Sequence, residues 1–259
     1  MEFGFCGSIG SAAGLGDSGL VYIEVGVQEF LVPLDDDEAF EANLKHAEQC
    51  PLPIRAANGF IPGTLRSTGP DANHDGILEY AATAFRRAEQ VGIESIVFGS
   101  GGSRKLEGRV SQEEAMAQFS ELLSKLGPLA EPHNVTVVIE PLNTGECDFI
   151  NSLAEGAEAA QRANHPNIQL LADFYHMLRD DEPASEVAVH GSIIKHCHLA
   201  EKENRTCPGI EGDDFRPFFK GLKDVGYTGR ISIEGKFPDG LEVDAPIAVE
   251  EMRQQLEEA

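Results

Sequence analysis

Short runs of β-branched and other apolar residues alternate along this chain with stretches in which apolar positions recur every three or four residues. The runs are Phe3–Gly7, Leu20–Val25, Ile54–Asn58, Ser95–Phe98, Val135–Glu140, Ile168–Asp173, Ile193–His198 and Arg230–Glu234. Each is bounded by polar or Gly/Pro segments, the pattern of a strand covered on both faces in a parallel sheet. Helical spacing marks Asp36–Gln49, Asp75–Gln90, Leu153–Ala163, Ala184–His190, Phe215–Val225 and Pro246–Leu256. In Asp75–Gln90 the apolar face is Ile77, Leu78, Ala81, Ala84, Phe85 and Ala88. Ser111 and Glu114 have capping-box spacing and open another amphipathic run that closes near Ala130. The Gly-rich segment Ser8–Ser18 leaves room only for a short helix. Alternating strands and helices imply a parallel sheet. Eight repeats imply closure into a single α/β (β/α)8 TIM barrel over residues 1–259 rather than an open doubly wound sheet.

Composition narrows the partners. Acidic residues number 44 against 20 basic, a formal net charge of −24. Nucleic acid needs a basic footprint, so a nucleic-acid partner is excluded, and an anionic membrane surface is disfavoured on the same ground. The charge describes a strongly solvated surface. The five cysteines (Cys6, Cys50, Cys147, Cys197 and Cys207) are odd in number and include no CxxC. Free thiols in a reducing, cytoplasmic compartment are therefore expected rather than a disulfide framework. No basic leader opens the chain, and no apolar run approaches the roughly 18 residues of a membrane span. With no Trp, an indole platform for a sugar is ruled out. A homo-oligomer, dimer or tetramer, remains open.

Candidate chemistry sits at the strand ends. The last four runs finish on Glu140, Asp173, His198 and Glu234, which are 33, 25 and 36 residues apart, the length of one strand–helix unit. In a barrel those ends converge on the C-terminal face, where the chemistry of this fold resides. Taken singly, each residue has a plain reading: Glu140 capping a turn, Asp173 capping the next helix. Together, two Glu, one Asp and one His form an oxygen-rich set with one nitrogen, suited to a hard or borderline divalent cation. With no Cys among them, Mn2+, Co2+ or Mg2+ is expected over a structural Zn2+. His176, placed in the loop after Asp173, is within reach of the same pocket. His196 and His198 share one strand face, so that one can ligate while the other supports it.

Ile139-Glu-Pro-Leu-Asn143, Asp173-Phe-Tyr-His176, His196-Cys-His-Leu-Ala-Glu201, Asn204-Arg205 followed by Pro208-Gly209, and Ile233-Glu-Gly235 make the chain similar to the xylose-isomerase-like barrels. The resemblance is to their sugar isomerase/epimerase branch, which holds the D-tagatose and D-allulose 3-epimerases, and it covers nearly the whole chain. It implies one divalent metal, Mn2+ first, held by Glu140, Asp173, His198 and Glu234. It also implies that Glu140 and Glu234 are the acid/base pair. Glu146, His176 and Arg205 match substrate contacts, although Arg205 follows His198 by seven residues where six are expected. The implied activity is epimerisation of a small ketose at C3 through an enediolate, one carboxylate taking the proton and the other returning it from the opposite face. The same parts serve an aldose–ketose or hydroxypyruvate-type isomerase, or a keto-sugar or cyclitol lyase. A non-enzymatic sugar-binding barrel would leave the acid/base pair without a role.

Three other segments are read more plainly. Gly99–Lys105 is expected to be a tight loop at the pocket rim rather than a phosphate cradle. Asn58 either lines the pocket or ends its strand. The polar loop Glu201–Asp214, with Pro208, Gly209 and Gly212, is expected to be a lid that moves on substrate binding.

Overall fold

The computed structural model describes residues 1–16 and 18–259; Asp17, in the Gly-rich segment expected to hold a short helix, lies outside the described residues. Eight parallel strands close in sequence order, β1 (Glu2–Cys6), β2 (Tyr22–Gly26), β3 (Ile54–Asn58), β4 (Ser95–Phe98), β5 (Thr136–Ile139), β6 (Ile168–Asp173), β7 (Ile194–Leu199) and β8 (Arg230–Ile233), with β8 pairing back onto β1. This is the single (β/α)8 TIM barrel that the alternating pattern predicts. No helix of the described residues is long and apolar enough to cross a membrane.

The helices between the strands are α1 (Asp37–Ala47), α2 (His74–Val91), α3 (Gly101–Arg104), α4 (Gln112–Ala130), α5 (Leu153–Ala163), α6 (Phe174–Arg179), α7 (Ser185–His190), α8 (Arg216–Asp224) and α9 (Leu241–Glu258). Ser111 and Glu114 form the full reciprocal capping box at the start of α4. Helices α6 and α9 depart from the sequence reading. The residues after Asp173 form α6, so His176 lies in a helix and not in a loop. Helix α9 begins at Leu241 rather than at Pro246, which sits inside it; the proline resembled a first-turn signal because that is where helices tolerate it best.

Strand alternation sorts the side chains into two cores. Outward residues such as Phe3, Ile23, Val137, Leu170 and Ile231 join the large core under the helices. Inward residues Val97, Val138 and Leu171 make a small separate apolar cluster inside the barrel at β4, β5 and β6. The other half of the interior is polar: Tyr22, Glu24, His196 and Ser232 are all buried. Gly4 has no Cβ because the Tyr22 ring occupies its place, 2.4 Å from where one would stand. One layer above lie Asn58, Glu140, Asp173, His198 and Glu234, which the same alternation turns inward at the strand ends.

One carboxylate in the helical layer couples stability to pH. Glu182 accepts the Leu153 amide at the N-terminus of α5 (2.9 Å). Burial pushes it up to about 7, opposed by that hydrogen bond and reinforced by Glu186, Glu155 and Asp180. The folded state therefore favours the protonated form. This contribution is complete below the usual carboxylate value and is lost as pH rises toward 7. Glu182→Gln keeps an acceptor for Leu153 without the charge. It is expected to raise stability at pH 8 by about 1 kcal/mol, discounted for partial exposure, and to change nothing at pH 4; equal thermal shifts at both pH values would refute the coupling.

Candidate active site

Glu140, Asp173 and Glu234 converge at the C-terminal mouth of the barrel from β5, β6 and β8. Asp173 performs two tasks at once. Its Oδ1 caps α6 by accepting the His176 amide (3.2 Å), while its buried Oδ2 has no hydrogen-bond partner. The plain reading of Asp173 as a helix cap thus holds for Oδ1, and Oδ2 is left facing the site. Gly99 at the end of β4 lets Glu140 turn inward; a Cβ there would lie 1.9 Å from Glu140 Oε2.

Two imidazoles border the three carboxylates. Glu140, Asp173, His176 and Glu234 have one ligand atom each within 4.8 Å of one another, and Cys6, Glu24 and His198 form a second such group. His198 nevertheless belongs to the first group as well. Its Nδ1 lies 3.0 Å from Glu140 Oε1, 3.5 Å from Glu234 Oε2 and 3.9 Å from Asp173 Oδ2. The His176 Nδ1 accepts from Asn143 N (3.2 Å) and Nδ2 (2.8 Å), so its Nε2 carries the hydrogen, 3.6 Å from Asp173 Oδ2. His176 is therefore a hydrogen-bond donor into the site, and His198 turns its Nδ1 toward the three carboxylates. The residues present fit a divalent cation: an unpartnered buried carboxylate oxygen, two further carboxylates and one imidazole nitrogen face a common centre.

The electrostatics show how much negative charge is concentrated here. Burial pushes Asp173 up to about 6, with Glu234 adding to it. Burial also raises Glu140, against the hydrogen bond from His198. Glu234 resists the burial penalty and is held at about 2 by His198 and Arg205. Burial lowers His176. His198 is raised despite its burial, chiefly by Glu24.

Arg205 lies across the mouth. Its Nε donates to the Glu234 carbonyl (3.1 Å), Nη2 pairs with the Glu234 carboxylate, and Nη1 is 3.5 Å from Glu146 Oε1. The guanidinium stands 4.4 Å over the Tyr175 ring. Asn143 joins Glu146 to His176 by donating to Glu146 Oε1 (2.9 Å). All seven residues singled out in the sequence are thus gathered at one mouth. Asn58 lines it too, donating to Glu234 Oε1 (3.1 Å).

Sequence reasoning missed several partners. The tight loop Gly99–Lys105 contains α3, and fully buried Arg104 donates to the carbonyls of Phe98 (3.0 Å) and Glu140 (2.7 Å), clamping the ends of β4 and β5. Asn143 and Tyr175 stand in the sequence only within motifs. For Glu24 the one usable signal is a charge inside the apolar run Tyr22-Ile-Glu-Val. The segment expected to be a lid is tied internally by Glu201, which is fully buried. Its carboxylate accepts Thr206 Oγ1 (2.9 Å) and the amides of Gly209 (3.0 Å), Glu211 (2.5 Å) and Gly212 (2.9 Å).

Comparison with known proteins gives a consistent picture. The family model described as "Xylose isomerase-like TIM barrel" matches residues 15–257. An L-ribulose 3-epimerase of Methylomonas sp. is 27% identical over 240 residues, 90% of this chain and 80% of that protein. An inosose isomerase of Bacillus licheniformis is 21% identical over 238 residues, 88% of this chain and 83% of that protein. Two further epimerase relatives align over less than half of their own length. Among solved structures, a D-psicose 3-epimerase from Clostridium cellulolyticum superposes with a TM-score of 0.83 at 18% identity, covering 99% of both chains.

Proposed function

Since the chain belongs to the xylose isomerase-like TIM barrel family, we propose that it is a metal-dependent isomerase that interconverts ketose epimers at C3. The carrying observation is the placement of Glu140 and Glu234, from β5 and β8, on two sides of the His198 Nδ1 and the unpartnered Asp173 Oδ2. Glu140, Asp173, His198 and Glu234 hold the cation, with Mn2+ first and Co2+ or Mg2+ as substitutes. When bound, the cation supplies positive charge where oxygens of the substrate gather negative charge as the proton leaves.

The chain's own groups move the proton. One glutamate takes it from C3 on one face of the sugar, and the other delivers a proton to the opposite face, their roles exchanging with reaction direction. His176, donating through Nε2, steadies the oxygen beside the reacting carbon. Arg205 and Glu146 hold the far end of the sugar, and Arg205 screens the pair from water. The site carries many carboxylates and one guanidinium, which favours a small neutral sugar over a phosphorylated one. The Methylomonas L-ribulose 3-epimerase, similar over most of both chains, supports this class.

The test is incubation of the Mn2+-loaded protein in D2O with a panel of ketoses and aldoses, read by NMR. Deuterium at C3 of a ketose, in both epimers, is expected. Label at C1 or C2 with accumulation of an aldose would replace this reading with an aldose–ketose isomerase. No label in any sugar would remove both and leave a lyase.

A further inference from the structure

We infer that Glu24 is a positioning residue that fixes the orientation and tautomer of His198, making the barrel interior a support for the metal site. Glu24 stands inward from β2 and is fully buried. Its Oε1 lies 2.9 Å from His198 Nε2. Its Oε2 lies 2.7 Å from His196 Nε2 and accepts Ser232 Oγ at 2.6 Å. Ser232 in turn meets Tyr22 OH at 2.8 Å. One carboxylate thus ties β2 to β7, across 172 and 174 positions of the chain, and to β8, across 208.

Among the described residues no arginine or lysine pairs with this carboxylate; what holds it are N–H and O–H donors. A carboxylate can only accept from His198 Nε2, so that nitrogen carries the hydrogen. With Nε2 held by Glu24, Nδ1 is the nitrogen left to ligate, and it is the one that faces Glu140, Glu234 and Asp173. A carboxylate behind a ligating imidazole is the arrangement that fixes ring orientation and strengthens a metal ligand. Backbone geometry points the same way. The β2–β3 register shifts between Ile23 and Glu24, a local irregularity that re-aims a side chain. Tyr22, placed against Gly4 with no room for a Cβ, brings its hydroxyl to Ser232 and completes the chain of donors. The inference rests on the metal reading of the site.

The experiment titrates Mn2+ into the wild-type protein and Glu24→Gln, following free Mn2+ by electron paramagnetic resonance, with circular dichroism to establish folding. The dissociation constant is expected to rise roughly tenfold to a hundredfold in Glu24→Gln. Ser232→Ala, which keeps the Glu24–His198 contact, should show a smaller rise. A folded Glu24→Gln with wild-type Mn2+ affinity overturns the inference while leaving the metal site intact. Wild-type protein that binds no Mn2+ overturns the metal reading and this inference with it. Should Glu24→Gln fail to fold, the wild type loaded with Zn2+ and labelled with 15N-histidine decides. A hydrogen on His198 Nε2 with Nδ1 coordinated is expected, and the opposite tautomer refutes the proposal.

Discussion

Glu140→Gln and Glu234→Gln are each expected to lower kcat by roughly 10²–10⁴-fold at saturating Mn2+, with little change in thermal stability. Each substitution keeps the side-chain volume and one carbonyl oxygen but removes the proton carrier. On the proposed mechanism the two carboxylates do not compensate for each other, because each serves one face of the sugar. Glu140 approaches from β5, its backbone clamped by Arg104; Glu234 approaches from β8, held by Asn58 and Arg205. Bound metal must be measured alongside the rate, since both residues also face the metal centre. A metal-saturated Glu234→Gln that turned over at close to the wild-type rate would rule out a two-carboxylate mechanism. A double variant no slower than either single one would show that the pair acts as a unit.

Glu201→Ala is expected to cost about 3 kcal/mol of stability and to raise KM more than it lowers kcat. Four donors converge on this buried carboxylate, and bonds to a charged acceptor contribute about 1.5–3 kcal/mol each before water replaces part of the loss. The effect on KM travels through Arg205. Its backbone is in the left-handed region at φ 54°, and its carbonyl accepts the Lys236 amide (2.7 Å). Thr206 pairs with Lys236 as an isolated parallel bridge, and the Glu201 amide donates to the Thr206 carbonyl (2.8 Å). Gly235 has no side chain where the Arg205 and Thr206 backbones pass 3.0 Å from its Cβ position. Loss of the Glu201 cage frees this zipped segment, and amide exchange at Gly209, Glu211 and Gly212 should accelerate markedly. Unchanged exchange at those amides would show that the cage is not what orders the segment over the site.

The barrel and the gathering of site residues at its mouth were legible in the chain because both depend on local order. A buried parallel strand declares itself by its apolar run, and β3, β4 and α5 end where the pattern ends. Once eight such units close, strand alternation and the terminal position of Glu140, Asp173, His198 and Glu234 bring them to one face without further information. The capping box of α4 is equally local, with both partners three residues apart. What remained hidden depends on pairings across the barrel. Glu24 meets His196 and His198 from the far side of the sequence, and a lone charge in an apolar strand does not name its partner. The hydrogen-bond partners of the two imidazoles, Asn143 for His176 and Glu24 for His198, are likewise set by the closed barrel and not by the local sequence. Loop 201–214 looked like free polar chain, since composition cannot show four donors folding back on one buried carboxylate. Period and strand ends are properties of neighbours in the chain; tautomer, charge pairing and loop order are set by atoms that only the closed barrel brings within 3 Å.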